Sequence, residues 1–490
     1  MKAIGKREAA GFGSIRGWRG ARAAFAGLAA SCLSAVAPSS VCGLTISDVS
    51  LVQQWPWSEA VSVDFSVSDW NEPKWSVREV SLVAYDGEEG IGPVSPMAVS
   101  GDVVIDGNGA KHITITPSKD PVLKARGRIS RFKVGITTEK VPDEDVLYII
   151  FDISKEAGAR GARRYVTRRG LMAGVWGAWT KSSDLWSGVD ASEGPADNVL
   201  WTGIVDDERY FRELMAFRRI PAGTFTMGTN RKLGDGRPTG LRKVTISNPY
   251  YIAVLETTKY QYRLLKHGRN MNTPDVMLPS VNDVCNHIRG DSSAGGAYDW
   301  PTRRGVDDAS VVGKLGLKTG LRGMFDLPTE AQWEKAARGG VAGDIAFYDG
   351  STESVAESGE ALLWYRGNSD MVLHRSGMKK PNQYGLYDVL GNAYEMVLDW
   401  QGGAMPIETR DPVGEKGPSA MYPDRRMVKG GKYVNFLHEC VTYWRSQIPV
   451  ERTENYDSGS GSRFVLNLVP YPNRAADDSQ DVSNSKPAKQ

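Results

Sequence analysis

The sequence predicts a multidomain protein, with an N-terminal all-β sandwich of the immunoglobulin or fibronectin kind ahead of a larger, loop-rich α+β domain. Three observations carry that expectation. At 490 residues the chain has length for roughly two to four domains. Residues 44–154 alternate apolar and polar side chains with a period of two, and residues 218–470 mix short strands, a few capped helices and long glycine-rich loops. With 41% hydrophobic and 24% charged residues the composition is that of a globular protein. Lys+Arg number 60 against 58 Asp+Glu, and a net charge of +2 supplies no field to hold nucleic acid. No run reaches the roughly 18 apolar residues of a transmembrane segment.

Residues 1–43 read as a signal peptide. Lys2, Lys6, Arg7, Arg16, Arg19 and Arg22 precede the apolar, small-residue run Ala23 to Ala37, and small residues surround a cut near Cys42 and Gly43. The alternatives are a cytoplasmic protein with a disordered basic start, or a lipid anchor at Cys32, where Ala29 stands in place of the usual Leu. Export is the expectation: periplasmic, cell-surface or extracellular. Cleavage takes away six basic groups and one acidic group, leaving a net charge of −3. It also removes Cys32 and Cys42, so Cys285 and Cys440 remain.

Within residues 44–154, Val61, Val63, Phe65 and Val67 alternate with polar neighbours, as do Phe132, Val134 and Ile136, and then Leu147, Ile149, Phe151 and Ile153. Such alternation marks strands with one buried and one wet face. Asn71-Glu72-Pro73 and Gly107-Asn108-Gly109 mark turns between them. Some seven strands in this length suit a β-sandwich acting as spacer or adhesion module. Residues 155–217 carry Arg160, Arg163, Arg164, Arg168 and Arg169, then Trp176, Trp179, Trp186 and Trp201. Basic and aromatic residues together can bind single-stranded nucleic acid. In an exported chain the expectation is a solvated linker whose Trp residues dock on a neighbouring domain. Residues 471–490 are polar and read as a disordered tail.

In residues 218–470, Thr258-Lys259-Tyr260-Gln261 and Thr329-Glu330-Ala331-Gln332 have capping-box spacing, so helices are expected to begin at both. The second should run from Thr329 to Arg338, with Trp333, Ala336 and Ala337 on one face and Gly339-Gly340 ending it. A third helix is expected from Ala309 to about Lys318.

Four blocks here resemble the formylglycine-generating enzyme, or sulfatase-modifying factor, family. They are Arg219-Ile220-Pro221-Ala222-Gly223-Thr224-Phe225-Thr226-Met227-Gly228, Leu327-Pro328-Thr329-Glu330-Ala331-Gln332-Trp333-Glu334, Asn382-Gln383-Tyr384-Gly385-Leu386-Tyr387-Asp388 and Gly391-Asn392-Ala393-Tyr394-Glu395. They stand in family order over about half the chain. The resemblance implies a C-type-lectin-like fold, and an oxidase that converts a sulfatase Cys to formylglycine with O₂ and a copper(I) held by two thiolates. In this chain the matching stretch is Gly430-Gly431-Lys432-Tyr433-Val434-Asn435-Phe436-Leu437-His438-Glu439-Cys440. Cys440 retains the second thiol and is the candidate catalytic residue. Asn435 replaces the first, and Lys432 replaces a Ser that handles oxygen. Copper(I) prefers soft sulfur over amide oxygen, so copper chemistry is doubtful here. Cys440 otherwise reads as a small buried hydrophobe or as half of a disulfide with Cys285.

The resemblance also implies a structural Ca²⁺ site, with oxygen ligands from Asn392, the Ala393 carbonyl and Glu395. The alternative is that these residues satisfy turn backbone. A three-His iron site has no support in the spacing of His267, His287, His374 and His438, and a Cys440–His438 nucleophile pair lacks an orienting third group. Arg445 and Ser462-Arg463-Phe464 look like the family's structural close. The favoured function is a non-catalytic or repurposed module that binds a protein or glycan ligand at its C-terminal surface, around Tyr443, Trp444, Arg452 and Tyr456. The alternative is an active sulfatase maturase or related oxidase.

Overall fold

The computed structural model describes residues 44–469 except 54–58, 128, 130, 196–197, 232–239, 269–274, 282–284, 291–304, 354–355, 402–409, 414–416, 422 and 451–458. The signal-peptide and tail segments read from the sequence lie outside the described residues. The chain divides into two compact units between Val141 and Pro142.

The first unit is two antiparallel sheets on one core. One sheet runs in the order Thr45–Gln53, Val61–Ser68, Gly109–Ile115, Val99–Gly101. In the other, Arg78–Asp86 pairs along its whole length with Phe132–Lys140, and with Glu89–Pro93 and Val104–Ile105 on its other edge. The alternating residues do what their period implies: Val61, Val63, Phe65 and Val67 meet Val80, Leu82, Ala84, Phe132 and Val134 in a single buried cluster. Asp120 caps the helix Pro121–Arg126, its carboxylate accepting from the N–H groups of Val122 and Leu123.

The second unit corrects the expected boundaries. The strand Val146–Asp152 does not close the sandwich. It lies inside a six-stranded antiparallel sheet ordered Arg163–Thr167, Val146–Asp152, Leu214–Ile220, Tyr250–Ala253, Val465–Asn467, Phe325–Asp326. The reason is in the residues between the alternating ones. Tyr148 and Ile150 are also apolar and fully buried, which is the pattern of a strand covered on both faces. Residues 155–217 are likewise no solvated linker. They supply two strands of that sheet and the ribbon of Trp179–Lys181 with Val199–Trp201. The Trp residues pack within this same unit rather than on a neighbouring domain. Trp201 packs edge-on against Tyr148 at 5.6 Å and Tyr210 at 5.0 Å, and Trp186 against Tyr348 at 5.6 Å.

Both capping boxes form, at Thr258 for the helix Lys259–His267 and at Thr329 for Glu330–Ala337. The third helix is Val311–Thr319, capped by Ser310. Glu330–Ala337 is buried along its whole length, so its charged residues must be paired inside. Glu334 binds Arg338 at 2.9 Å, and Lys429, fully buried on the strand Arg425–Lys429, reaches both Glu330 and Glu334 at 3.3 Å. Arg445 donates to Glu330 at 2.5 Å and 2.7 Å.

Burial alone would raise the Glu330 carboxyl, but Arg445 and Lys429 outweigh it and hold the group at about 2. A depressed carboxylate pKa stabilises the fold above its unfolded value, ordinarily near 4.5, and that stabilisation is lost as pH falls toward 2. The expected result is acid lability on the order of 3 kcal/mol across that window. Urea titrations at stepped pH should show a flatter slope in Glu330→Gln than in wild type; equal slopes would assign the acid lability to other groups.

Candidate functional site

The thiol-bearing turn follows the strand Arg425–Lys429. Gly430 and Gly431 both have positive φ, and a Cβ on Gly431 would stand 2.4 Å from Cys440 Sγ. Only a glycine lets the turn lie this close to the sulfur. The Lys432 carbonyl then gathers the two aligned positions: it accepts the Asn435 N–H at 2.9 Å and lies 3.9 Å from Cys440 Sγ. The turn thus brings residues 435 and 440 together around one oxygen, as the resemblance implies for a two-thiol clamp.

The donor set does not suit copper(I). Asn435 Oδ1 accepts the Lys432 N–H at 3.0 Å and Nδ2 donates to Glu439 Oε2 at 3.1 Å, so the amide serves as scaffold for the turn. Cys440 is a free thiol with no exposed surface. Burial pushes its pKa up, Glu439 adds to the rise, and a backbone hydrogen bond from Lys432 only partly offsets them. A thiol kept protonated is a poor ligand and a poor nucleophile. The side chain of Cys285 lies outside the described residues. His438 does not serve Cys440 as a base: it is exposed, its ring parallel to Phe436 at 5.9 Å and edge-on to Trp444 at 6.0 Å.

The Asn392 turn is a second centre, and the sequence did not reveal its organising residue, Glu256. That carboxylate accepts the Ala393 N–H at 3.1 Å, the Asn392 side-chain amide at 2.8 Å and the Ser376 hydroxyl at 2.9 Å. It thereby holds Asn392 at a φ of 54°. A carboxylate ending the buried apolar run Tyr250–Leu255 was the available signal. Burial first, then the neighbouring Asp388, raises the Glu256 pKa well above its ordinary value.

The expected calcium ligands are mostly committed elsewhere. Asn392 Oδ1 accepts the His374 N–H at 3.0 Å. Glu395 takes the Trp333 indole N–H at 2.6 Å on one oxygen and Arg463 at 2.7 Å and 2.8 Å on the other. A guanidinium at that distance competes directly with a metal cation. The orphaned oxygen is Asp388 Oδ1, fully buried with no hydrogen-bond partner, while Oδ2 accepts the Gly377 N–H at 2.6 Å. Among the described residues no three His, Cys, Asp or Glu side chains form a metal cluster.

Of the expected ligand-facing patch, Tyr443 is 8% exposed and belongs to the hydrophobic core, and Trp444 packs against that core. Arg452 and Tyr456 lie outside the described residues.

Three comparisons with known proteins bear on this geometry. The family model described as the sulfatase-modifying factor enzyme 1-like domain matches residues 208–467. The formylglycine-generating enzyme of Streptomyces coelicolor is 30% identical over 293 residues, covering 50% of this chain and 86% of that one, and that of Mus musculus is 30% identical over 288 residues, covering 51% and 75%. The serine/threonine-protein kinase pkn1 of Chlamydia pneumoniae is 36% identical over 107 residues, where the match spans 21% of this chain and 15% of the kinase. With a family match over more than half its length, and the four blocks, the paired caps and the Gly430-Gly431 turn in place, the chain belongs to the sulfatase-modifying factor enzyme 1-like family.

Proposed function

We propose that this is an exported protein whose family domain has given up copper oxidation and serves as a binding module. One observation carries the reading: position 435 offers an amide locked to Lys432 and Glu439 where a second thiolate is required. The buried Cys440, its thiol pushed up by burial, supports it, since a buried, protonated thiol is a poor ligand. The second reading, an active maturase, draws on the likeness to formylglycine-generating enzymes. Copper(I) titration of the full chain, followed by incubation with a Cys-x-Pro-x-Arg peptide and mass spectrometry, separates the two. Our reading expects no stoichiometric copper and an intact peptide thiol. Aldehyde formation would reverse it.

We also retain calcium as a structural ion at the Asn392 turn, with the ligand set moved. The residues that suit it are Asp388, through its orphaned Oδ1, and the Ala393 carbonyl, since hard oxygen donors are what Ca²⁺ takes. An ion bound only by the folded chain raises stability by about 2.7 kcal/mol at a hundredfold excess over Kd. The expected result is a higher melting temperature in Ca²⁺ than in EGTA, abolished by Asp388→Ala. A melting temperature indifferent to Ca²⁺ would remove the ion.

A further inference from the structure

The loop between residues 435 and 440 carries something the copper chemistry would not need. Arg366 stands with its guanidinium 4.9 Å from the centre of the Phe436 ring, and its main-chain N–H donates to the Asn435 carbonyl at 2.9 Å. His438 lies parallel to Phe436, at 11° and 5.9 Å, and Trp444 closes on the edge of His438 at 6.0 Å. Four planar side chains therefore follow one another along the rim of the turn. Their loop is held from within, because Glu439 Oε2 accepts the Phe436 N–H at 2.8 Å. Phe436 is 54% exposed, and Arg366 and His438 are exposed too. Among the described residues no carboxylate is within ion-pair distance of Arg366 or His438. A guanidinium held over an aromatic ring by its cation–π contact keeps N–H donors available in the fork geometry that receives a carboxylate.

The surroundings narrow the occupant. The loop that follows Arg366 is tied to the glycine turn by the Ser369 hydroxyl, which donates to the Tyr433 carbonyl at 2.7 Å, and it exposes Met371 and Val372 at 49% and 53%. Exposed apolar side chains thus lie within six residues of the Arg366 cation. Exposed Glu360 and Asp370 flank the same stretch. A polyanion such as nucleic acid or a sulfated polysaccharide lays down many charges and would meet these carboxylates, and a net charge of −3 after cleavage would not draw it in. One or two carboxylates set among apolar side chains carry far less of that conflict.

We propose that Arg366, Phe436, His438 and Trp444 form a docking surface for an acidic-apolar peptide segment of a partner protein. This deepens the binding-module reading and rests on it. The carboxylate sits on the Arg366 fork, and the flanking apolar side chains lie on Phe436, Met371 and Val372.

The test uses the full chain against an array of dodecapeptides in which every Asp- or Glu-containing sequence has an Asn or Gln twin, with heparin and a single-stranded oligonucleotide as polyanion arms. The expected result is selection of acidic peptides over their twins, a loss of about tenfold or more in Arg366→Met, and an unchanged melting temperature, since Arg366 is exposed. Phe436→Ala should weaken the same peptides. Binding indifferent to the acid-to-amide exchange or to Arg366→Met overturns the proposal, as does preference for heparin or the oligonucleotide. Copper stoichiometry measured on the same preparation keeps the two failures apart. Copper uptake with peptide oxidation would sink the binding-module reading, whereas a copper-free protein without acidic selectivity would sink this surface alone.

Discussion

Arg463→Ala should cost roughly 3–5 kcal/mol of folding free energy, enough to unfold much of the second unit near physiological temperature. Arg463 is fully buried. Its guanidinium holds Glu395 and also donates to three main-chain carbonyls, those of Ala253 and Val254 at 2.9 Å and 2.8 Å and that of Tyr387 at 2.7 Å. Deleting it leaves the Glu395 carboxylate uncompensated in the interior, beside Glu256 and Asp388, which already carry raised pKa values. Three carbonyls lose their donor as well, and each orphaned buried group adds cost. Urea denaturation followed by tryptophan fluorescence measures the effect. Arg463→Lys should recover little, because one ammonium cannot span the carboxylate and all three carbonyls. A loss below about 1 kcal/mol for Arg463→Ala would show that the cluster relaxes or is wet.

Asn435→Cys should raise copper(I) affinity by more than about tenfold, measured by competition against a chelator. The argument is geometric and chemical together. Residues 435 and 440 already converge on the Lys432 carbonyl, so the new sulfur enters near the old one. The substitution also releases Glu439 from the Asn435 amide, leaving it the Phe436 N–H. Two thiolates satisfy a soft monovalent ion where one buried thiol does not. The variant is not expected to turn over peptide, since the resemblance puts Lys432 where the family carries an oxygen-handling Ser. Unaltered copper affinity would mean that the two side chains face apart, and the alignment of this turn would have to be redrawn.

The parts of this molecule that the sequence declares are those written in neighbouring residues. Thr258 with Gln261 and Thr329 with Gln332 satisfy each other's backbone within one helical turn, so both helix starts were legible before any tertiary contact was known. The same holds for the first unit, where a two-residue period already assigns Val61 to Val67 a buried face. What stayed hidden depends on partners far along the chain. Val146–Asp152 reads as a last sandwich strand until Leu214–Ile220 is seen beside it, some seventy residues on. Glu256 has no visible role in the sequence until Asn392 and Ala393 arrive to use it. Glu395 offers two oxygens to any reader of the motif, and only the fold shows that Arg463 and Trp333 occupy them.

The six-stranded sheet whose strand Tyr250–Ala253 leads to Glu256 begins well upstream of the stretch by which its relatives are known. Trp186 sits in the core, the Glu193 carboxylate takes both the Thr226 N–H and hydroxyl, and Val146–Asp152 pairs with Leu214–Ile220, all from residues ahead of position 208. A gene fragment trimmed to the recognised homology would therefore yield a protein with one flank stripped bare and prone to clump. The transplantable piece, whether for a laboratory clone or for a chromosome shuffling its modules, starts at Pro142.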